Sequence, residues 1–407
     1  YIIDRLLDEF NTKPPKYFYL LPSYLANEDV LLLFYYKCYT REVILDAFLL
    51  QWCRLLQKNG ASWMISEPFS PAWILRDSCI KHNAGSDAWL AWAQMEAEQN
   101  QVGDYESENT ARWIFREACI KRNAGSAMWL AWAQMEAEQD QVGDYESENT
   151  ARWIFREACI KRNAGSDTWL AWAQMEVKQD QVGDYESENT ARWIFREACI
   201  KGNAGSAAWL AWAQMEAKQD QVGDYESENT ARWIFREACI KHNAGSNTWL
   251  AWAQMETEQD QIGDCESENT ARWIYCKAIK RFPNVGPVFS SYARLELQHH
   301  SVQQARDILR KAIQYNDFCI GHLAILEFFC GNINSGDIYC SNQLMLRMEK
   351  EKQNSFTALR YLYHCSILLG QKENIERYHQ ELLEIPEYDP SNTTIEKFIQ
   401  LCQEALI

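Results

Sequence analysis

The chain is predicted to fold as an all-α superhelical solenoid of antiparallel helix pairs, and three observations carry that expectation. A 40-residue unit recurs five times over residues 89–288, beginning at Trp89, Trp129, Trp169, Trp209 and Trp249. Clusters of glycine, asparagine and serine punctuate each unit twice. Between them, apolar residues return at helical spacing. A repeat of roughly 20 to 50 residues cannot bury its apolar face within one copy, so it stacks on its neighbours.

The opening unit shows why each element forms. The stretch Asn83-Ala84-Gly85-Ser86 offers a glycine stop for one helix and a serine start for the next. Trp89, Trp92, Ala93 and Glu96 then fall at i, i+3, i+4 and i+7, one face of a first helix. Gly103 is expected to end that helix. Ser107 is expected to cap the second, with Glu106 and Glu108 near its positive end. Ala111, Ile114, Phe115 and Ala118 repeat the same spacing. The expected repeat core is therefore Trp89, Trp92, Glu96, Ala111, Ile114, Phe115 and Ala118. A carboxylate on a tryptophan face needs an internal partner, so Glu96 is expected to meet Arg112 or a neighbouring helix end.

The pattern Trp89-x-x-Trp92-Ala93-x-x-Glu96, followed by Ala111-Arg112-x-Ile114-Phe115-x-Glu117-Ala118, resembles the half-a-tetratricopeptide (HAT) repeat, five times over. It continues more weakly on both sides. Upstream, Leu49-x-x-Trp52-Cys53 aligns with the first helix and Pro71-Ala72-Trp73-Ile74-Leu75 with the second. Downstream, Phe289-x-x-Tyr292-Ala293-x-x-Glu296 precedes Ala305-Arg306-x-Ile308-Leu309-x-x-Ala312, and Ile320-x-x-Leu323-Ala324-x-x-Glu327 opens a looser unit. Glu296 to Ala305 spans nine residues and Glu96 to Ala111 fifteen, so the repeated units carry six extra residues around Gly103-Asp104-Tyr105-Glu106. The expected organisation is an N-terminal helical cap over 1–48, a degenerate repeat over 49–88, five near-identical repeats over 89–288, divergent repeats over 289–355, and a C-terminal helical cap over 356–407. The resemblance implies a TPR-like solenoid within RNA-processing machinery. Such arrays chiefly hold proteins together and often self-associate, and in organellar members they contact RNA directly.

Composition narrows the partners. The net charge is −17, and the opening unit sets six acidic side chains against four basic ones. Nucleic acids are held chiefly by Lys and Arg, so a broad electrostatic grip on RNA or DNA is not expected. The 47% hydrophobic content excludes a disordered chain. Of 14 cysteines, Cys119, Cys159, Cys199 and Cys239 are one helical position copied, and read as buried thiols of a reducing compartment. The longest apolar run, Val30 to Tyr36, is too short to span a membrane. The sequence starts at Tyr1, so a leader could lie upstream.

A search for catalytic chemistry returns nothing specific. His82 and His242 share a position that is Arg122, Arg162 and Gly202 in other copies, which does not suit a catalytic base. There is no phosphate loop, nucleophile motif or H-E-x-x-H. The acidic stretch from Asp140 to Glu148 lacks the ligand order of a calcium loop. No enzyme, cofactor or metal is expected.

Two surfaces are candidates for partners. At 3.6 residues per turn, Trp113 lies about 200° around the helix from Ala111, on the side away from the core. Its copies Trp153, Trp193, Trp233 and Trp273 are expected to form an outer ladder bordered by Arg112 and Arg116. Either Tyr105 and the longer loop or a neighbouring helix covers that ladder, or it is exposed to a partner or a second copy. Leu90, Gln94, Gln101 and position 98 (Glu98, Glu138, Lys178, Lys218 and Glu258) are expected to line an inner, amide-rich face suited to a peptide or helix. The reading that follows is a non-enzymatic scaffold binding other proteins within an RNA-processing complex, meeting RNA indirectly or weakly, with no membrane contact. The alternatives are a direct single-stranded RNA binder and a general interaction scaffold unrelated to RNA. The expected location is intracellular, and nuclear if eukaryotic RNA processing is right.

Overall fold

The computed structural model describes residues 71–406 apart from 82–83, 100–101, 202–203, 316, 332–334, 352–355 and 387–391. The expected cap over 1–48, the segment around Leu49 and Trp52, and Gln101 lie outside the described residues. Among the described residues there are eighteen α-helices and four short π-helices, and no strand. Neighbouring helices pack in successive pairs, so the fold is an all-α solenoid of helical repeats. None of the described helices is long and apolar enough to cross a membrane. The chain divides into two compact units, residues 1–204 and 205–407.

In the first unit, Pro71–Lys81 precedes three repeats. Their first helices are Ser86–Glu98, Ser126–Glu138 and Ser166–Lys178. The second helices start as Ala111–Arg116, Ala151–Arg156 and Ala191–Arg196, and each widens into a π-helical turn, Glu117–Lys121, Glu157–Lys161 and Glu197–Lys201. The core is the predicted one: Trp92, Ala93, Ala111 and Ile114 are fully buried, with Trp89, Phe115 and Ala118 scarcely touched by solvent. Glu96 departs from this, since it is only partly buried, whereas its copies Glu136 and Glu176 are buried.

The helix ends correct the sequence reading at four points. The second helix is capped by Thr110 rather than Ser107, its hydroxyl accepting from the Trp113 N–H at 3.3 Å. Ser107 instead offers its carbonyl to the Thr110 hydroxyl at 2.9 Å. The first helix stops at Glu98, five residues before Gly103. In the next copy the stop is visible: Asp140 takes the left-handed conformation (φ 56°), and the Gln141 N–H closes on the Glu136 carbonyl at 2.9 Å. The second helix ends in the same way on Asn123 (φ 53°), not on a glycine. There the Ala124 N–H reaches back to the Ala118 carbonyl at 3.0 Å, one residue further than the usual closure because of the π-turn. Gly125 has an ordinary φ of −67° and occupies the cap position expected for the serine.

The second unit continues with Ser206–Lys218, Ala231–Arg236 and its π-turn Glu237–Lys241, and Ser246–Glu258. The fifth repeat breaks the pattern, because Ala271–Arg281 is α-helical throughout. Gly286–Gln298 and Val302–Ala312 form the next pair, joined by the shorter connection. Beyond them, Ile320–Gly331, Ser335–Glu351, Phe356–Leu368, Lys372–Leu383 and Thr394–Ala405 enclose a C-terminal core around Leu323, Tyr361 and Phe398.

Candidate partner-binding surfaces

Within each unit, the six extra residues of a repeat build the joint to the next one. In the second repeat, Gly143 sits at φ 61°, where an added Cβ would lie 2.2 Å from the Thr150 methyl, so only glycine fits. Asp144 folds back to accept the N–H groups of Glu146 and Ser147 at 2.9 and 2.6 Å. Those bonds hold its carboxyl below the usual carboxylate range. The acidic stretch is thus a self-bonded turn, and it presents the Gly143 carbonyl to Arg152 Nη1 at 2.9 Å.

Arg152 then reaches forward, not back. Its guanidinium grips Glu176 of the next repeat with Nε and Nη2 at 2.9 and 2.8 Å, a two-pronged charge-assisted contact. Tyr145 donates its hydroxyl to the same carboxylate and lies 2.9 Å from the Asn189 carbonyl, while Trp172 Nε1 donates to the tyrosine oxygen at 3.4 Å. Burial and the carboxylate push the Tyr145 hydroxyl well above its ordinary value. The cluster is copied at Glu136 with Arg112 and Tyr105, and in the second unit at Glu256 with Arg232 and Tyr225. Downstream, the Arg272–Glu296 and Arg306–Glu327 pairs keep the ion pair after the tyrosine is gone. The expected partner of the tryptophan-face glutamate was therefore right in kind but displaced by one repeat.

Glu96 is the exception that shows the rule. Counting back 40 residues from Arg112 gives Ala72, so the preceding segment has no arginine at that position. Glu96 accepts only from Trp92 Nε1, at 3.1 Å, in the hydrogen bonds described for it, and burial pushes its carboxyl up.

The outer tryptophans are less open than the helical wheel suggests. Trp113, Trp153, Trp193 and Trp233 are part-buried, and Trp273 is buried. Each meets the second core tryptophan of its own repeat edge-on, Trp113 on Trp92 at 6.3 Å and Trp153 on Trp132 at 6.3 Å. Tyr105 does not close over Trp113 in the contacts described; its ring lies against Trp132 of the next repeat at 6.1 Å. What stands out to solvent are Ile120, Ile160 and Ile200 in the first unit and Ile240 in the second, each 39–50% exposed. These residues fall within the π-turns, and counting at 3.6 residues per turn already puts Ile120 beside Trp113 on the side away from the core. On the other face, Leu90 is part-buried and Gln94 exposed. Arg112 is committed to Glu136, and Arg116 lies 3.9 Å from Glu106.

The variable position at the end of the second helix also has a role. Arg122 lies over the Trp89 ring at 4.7 Å and Arg162 over Trp129 at 4.8 Å, while His242 stacks on Trp209 at 4.7 Å. Cys119, Cys159, Cys199 and Cys239 are buried free thiols, their acidity suppressed by desolvation. Cys265, which replaces the loop tyrosine, is joined to Cys276, which replaces the Arg116 copy. Tyr292 occupies the matching core position in the next helix, its hydroxyl 3.4 Å from Cys265 Sγ. A scan for known protein families returns no match to the chain. A search of curated proteins returns none either.

Proposed function

We propose that this chain is a non-enzymatic scaffold whose helical repeats hold protein partners together within an RNA-processing complex. The carrying observation is the commitment of its arginines. The Arg112 copies that would have to line an RNA groove grip glutamates of the following repeat, as at Glu136, Glu176 and Glu256. With a net charge of −17, little cationic surface is left to collect phosphates. The exposed isoleucines Ile120, Ile160 and Ile200 of the first unit supply apolar area of the kind that protein partners bury. The RNA-processing assignment itself rests on the resemblance of the repeat pattern. It goes with a reducing intracellular location, nuclear in a eukaryote, which suits the buried thiols; the Cys265–Cys276 disulfide pulls the other way.

The test has two arms. Anisotropy of a labelled single-stranded RNA pool against the purified chain, at low and physiological salt, is expected to show no tight binding. Affinity purification with the tagged chain is expected to recover a stoichiometric protein set that survives ribonuclease. Tight RNA binding that falls steeply with salt would replace this reading with direct RNA recognition.

A further inference from the structure

Four of the five leading tryptophans of the repeats, Trp89, Trp129, Trp209 and Trp249, are at most 3% exposed. Trp169 alone is part-exposed. The repeats are near-identical, so the difference needs a local cause. It lies at the end of the second helix. Where the first two repeats place Arg122 and Arg162 over this ring, the third has Gly202, which carries no side chain to do so.

The Arg162 site shows what the ring accepts when it is filled. The guanidinium lies over Trp129 at 4.8 Å, its Nε is 3.8 Å from Glu157, and its Nη1 donates to Asn123 Oδ1 at 2.8 Å. Glu157 meets Lys161 at 2.7 Å with its other oxygen, so one carboxylate serves two cations there. Each of the three groups that surround Arg162 recurs 40 residues on: Trp169, Glu197 and Asn163. All three belong to the first compact unit. Asn163 is exposed and repeats the left-handed backbone of Asn123, at φ 53° in both.

We propose that the open face of Trp169, with Glu197 and Asn163, is a seat for an arginine side chain supplied by a partner protein. The incoming guanidinium stacks on the indole, turns one edge to the Glu197 carboxylate and donates to the Asn163 amide oxygen, restoring the contacts that Arg162 makes within the chain. A lysine ammonium is a point charge and cannot stack and fork at once, so the seat selects arginine. The chain's net charge of −17 draws a basic segment and disfavours an acidic one. The proposal rests on the protein-scaffold reading only for the source of the arginine.

The test uses the full chain labelled with 5-fluorotryptophan, with the Trp169 and Trp129 resonances assigned from Trp169→Phe and Trp129→Phe. N-acetyl-arginine amide is expected to move the Trp169 signal saturably and leave Trp129 in place. The citrulline analogue, uncharged but of the same shape, is expected to bind at least about tenfold more weakly. Gly202→Arg is expected to shift the Trp169 signal without ligand and to abolish the response. No movement with the arginine compound, an equal response to citrulline, or a Gly202→Arg chain that still responds would each overturn the proposal. Its failure is separable from that of the scaffold reading. If the purified chain carries no protein partner while arginine amide still moves Trp169, the scaffold reading falls and the seat stands.

Discussion

Glu96 and Glu176 occupy the same place in near-identical repeats, yet their surroundings differ. Glu176 is buried and held by Arg152 and Tyr145 from the preceding repeat. Glu96 has Ala72 where that arginine would stand, is only partly buried and has its carboxyl pushed up. A repeat in this array is therefore not a self-sufficient unit. The loop and second helix of one copy complete the first helix of the next, and a glutamate is an asset or a burden according to what precedes it.

Breaking the filled joint should have the largest effect. Arg152→Ala leaves Glu176 buried without its guanidinium, and a loss of about 3 kcal/mol is expected, read as a lower denaturant midpoint. Hydrogen exchange should place the added opening around 145–176. A change confined to residues far from that joint would refute the coupling between repeats. The next effect comes from the loop alone. Gly143→Ala forces a Cβ against Thr150 at a left-handed position, and about 2 kcal/mol should be lost. Substituting Gly125, where an added Cβ meets nothing, should cost much less.

Two smaller changes should stabilise. Asp180 holds the left-handed helix stop at φ 55°, so Asp180→Gly is expected to raise stability by up to about 1 kcal/mol. Thermal melts of the two chains decide it. Glu96→Gln should raise the melting temperature slightly at pH 7, the opposite sign to the same change at Glu176. The pH dependence follows from the direction of the shift. Folding raises the Glu96 carboxyl above its ordinary 4.5, so its favourable contribution is present below that pH and is lost as pH rises through the folded value. The gap between Glu96→Gln and the parent should therefore be wider at pH 7 than at pH 4. An equal gap at both would remove Glu96 as its source.

Much of this was legible in the sequence. Trp92, Ala93, Ala111, Ile114 and Phe115 announce their burial by spacing, because a helix repeats its faces every 3.6 residues. The Arg112–Glu136 pairing was half legible: both residues recur, but periodicity alone does not say which copy meets which. The outward side of the second helix was legible too, since the same count puts Ile120 opposite the core, where it is exposed. The helix stops at Asn123 and Asp140 were misread because glycines stood nearby, although asparagine and aspartate also tolerate the left-handed region. The Cys265–Cys276 bond was missed because the two cysteines replace a tyrosine and an arginine in one copy only, leaving no repeated pattern.

The forward-reaching joint also makes copies interchangeable. If residues 129–168 were excised, Arg112 and Tyr105 would arrive at Glu176 and Trp172, which stand as Glu136 and Trp132 stood, and the glutamate joint would stay complete. Unequal exchange between such copies can lengthen or shorten the array in steps of 40 residues without passing through a broken intermediate. The fifth repeat cannot be traded in this way. Its Cys265 and Cys276 match the Tyr292 helix that follows, so it acts as the fixed terminus against which the copy number is free to drift.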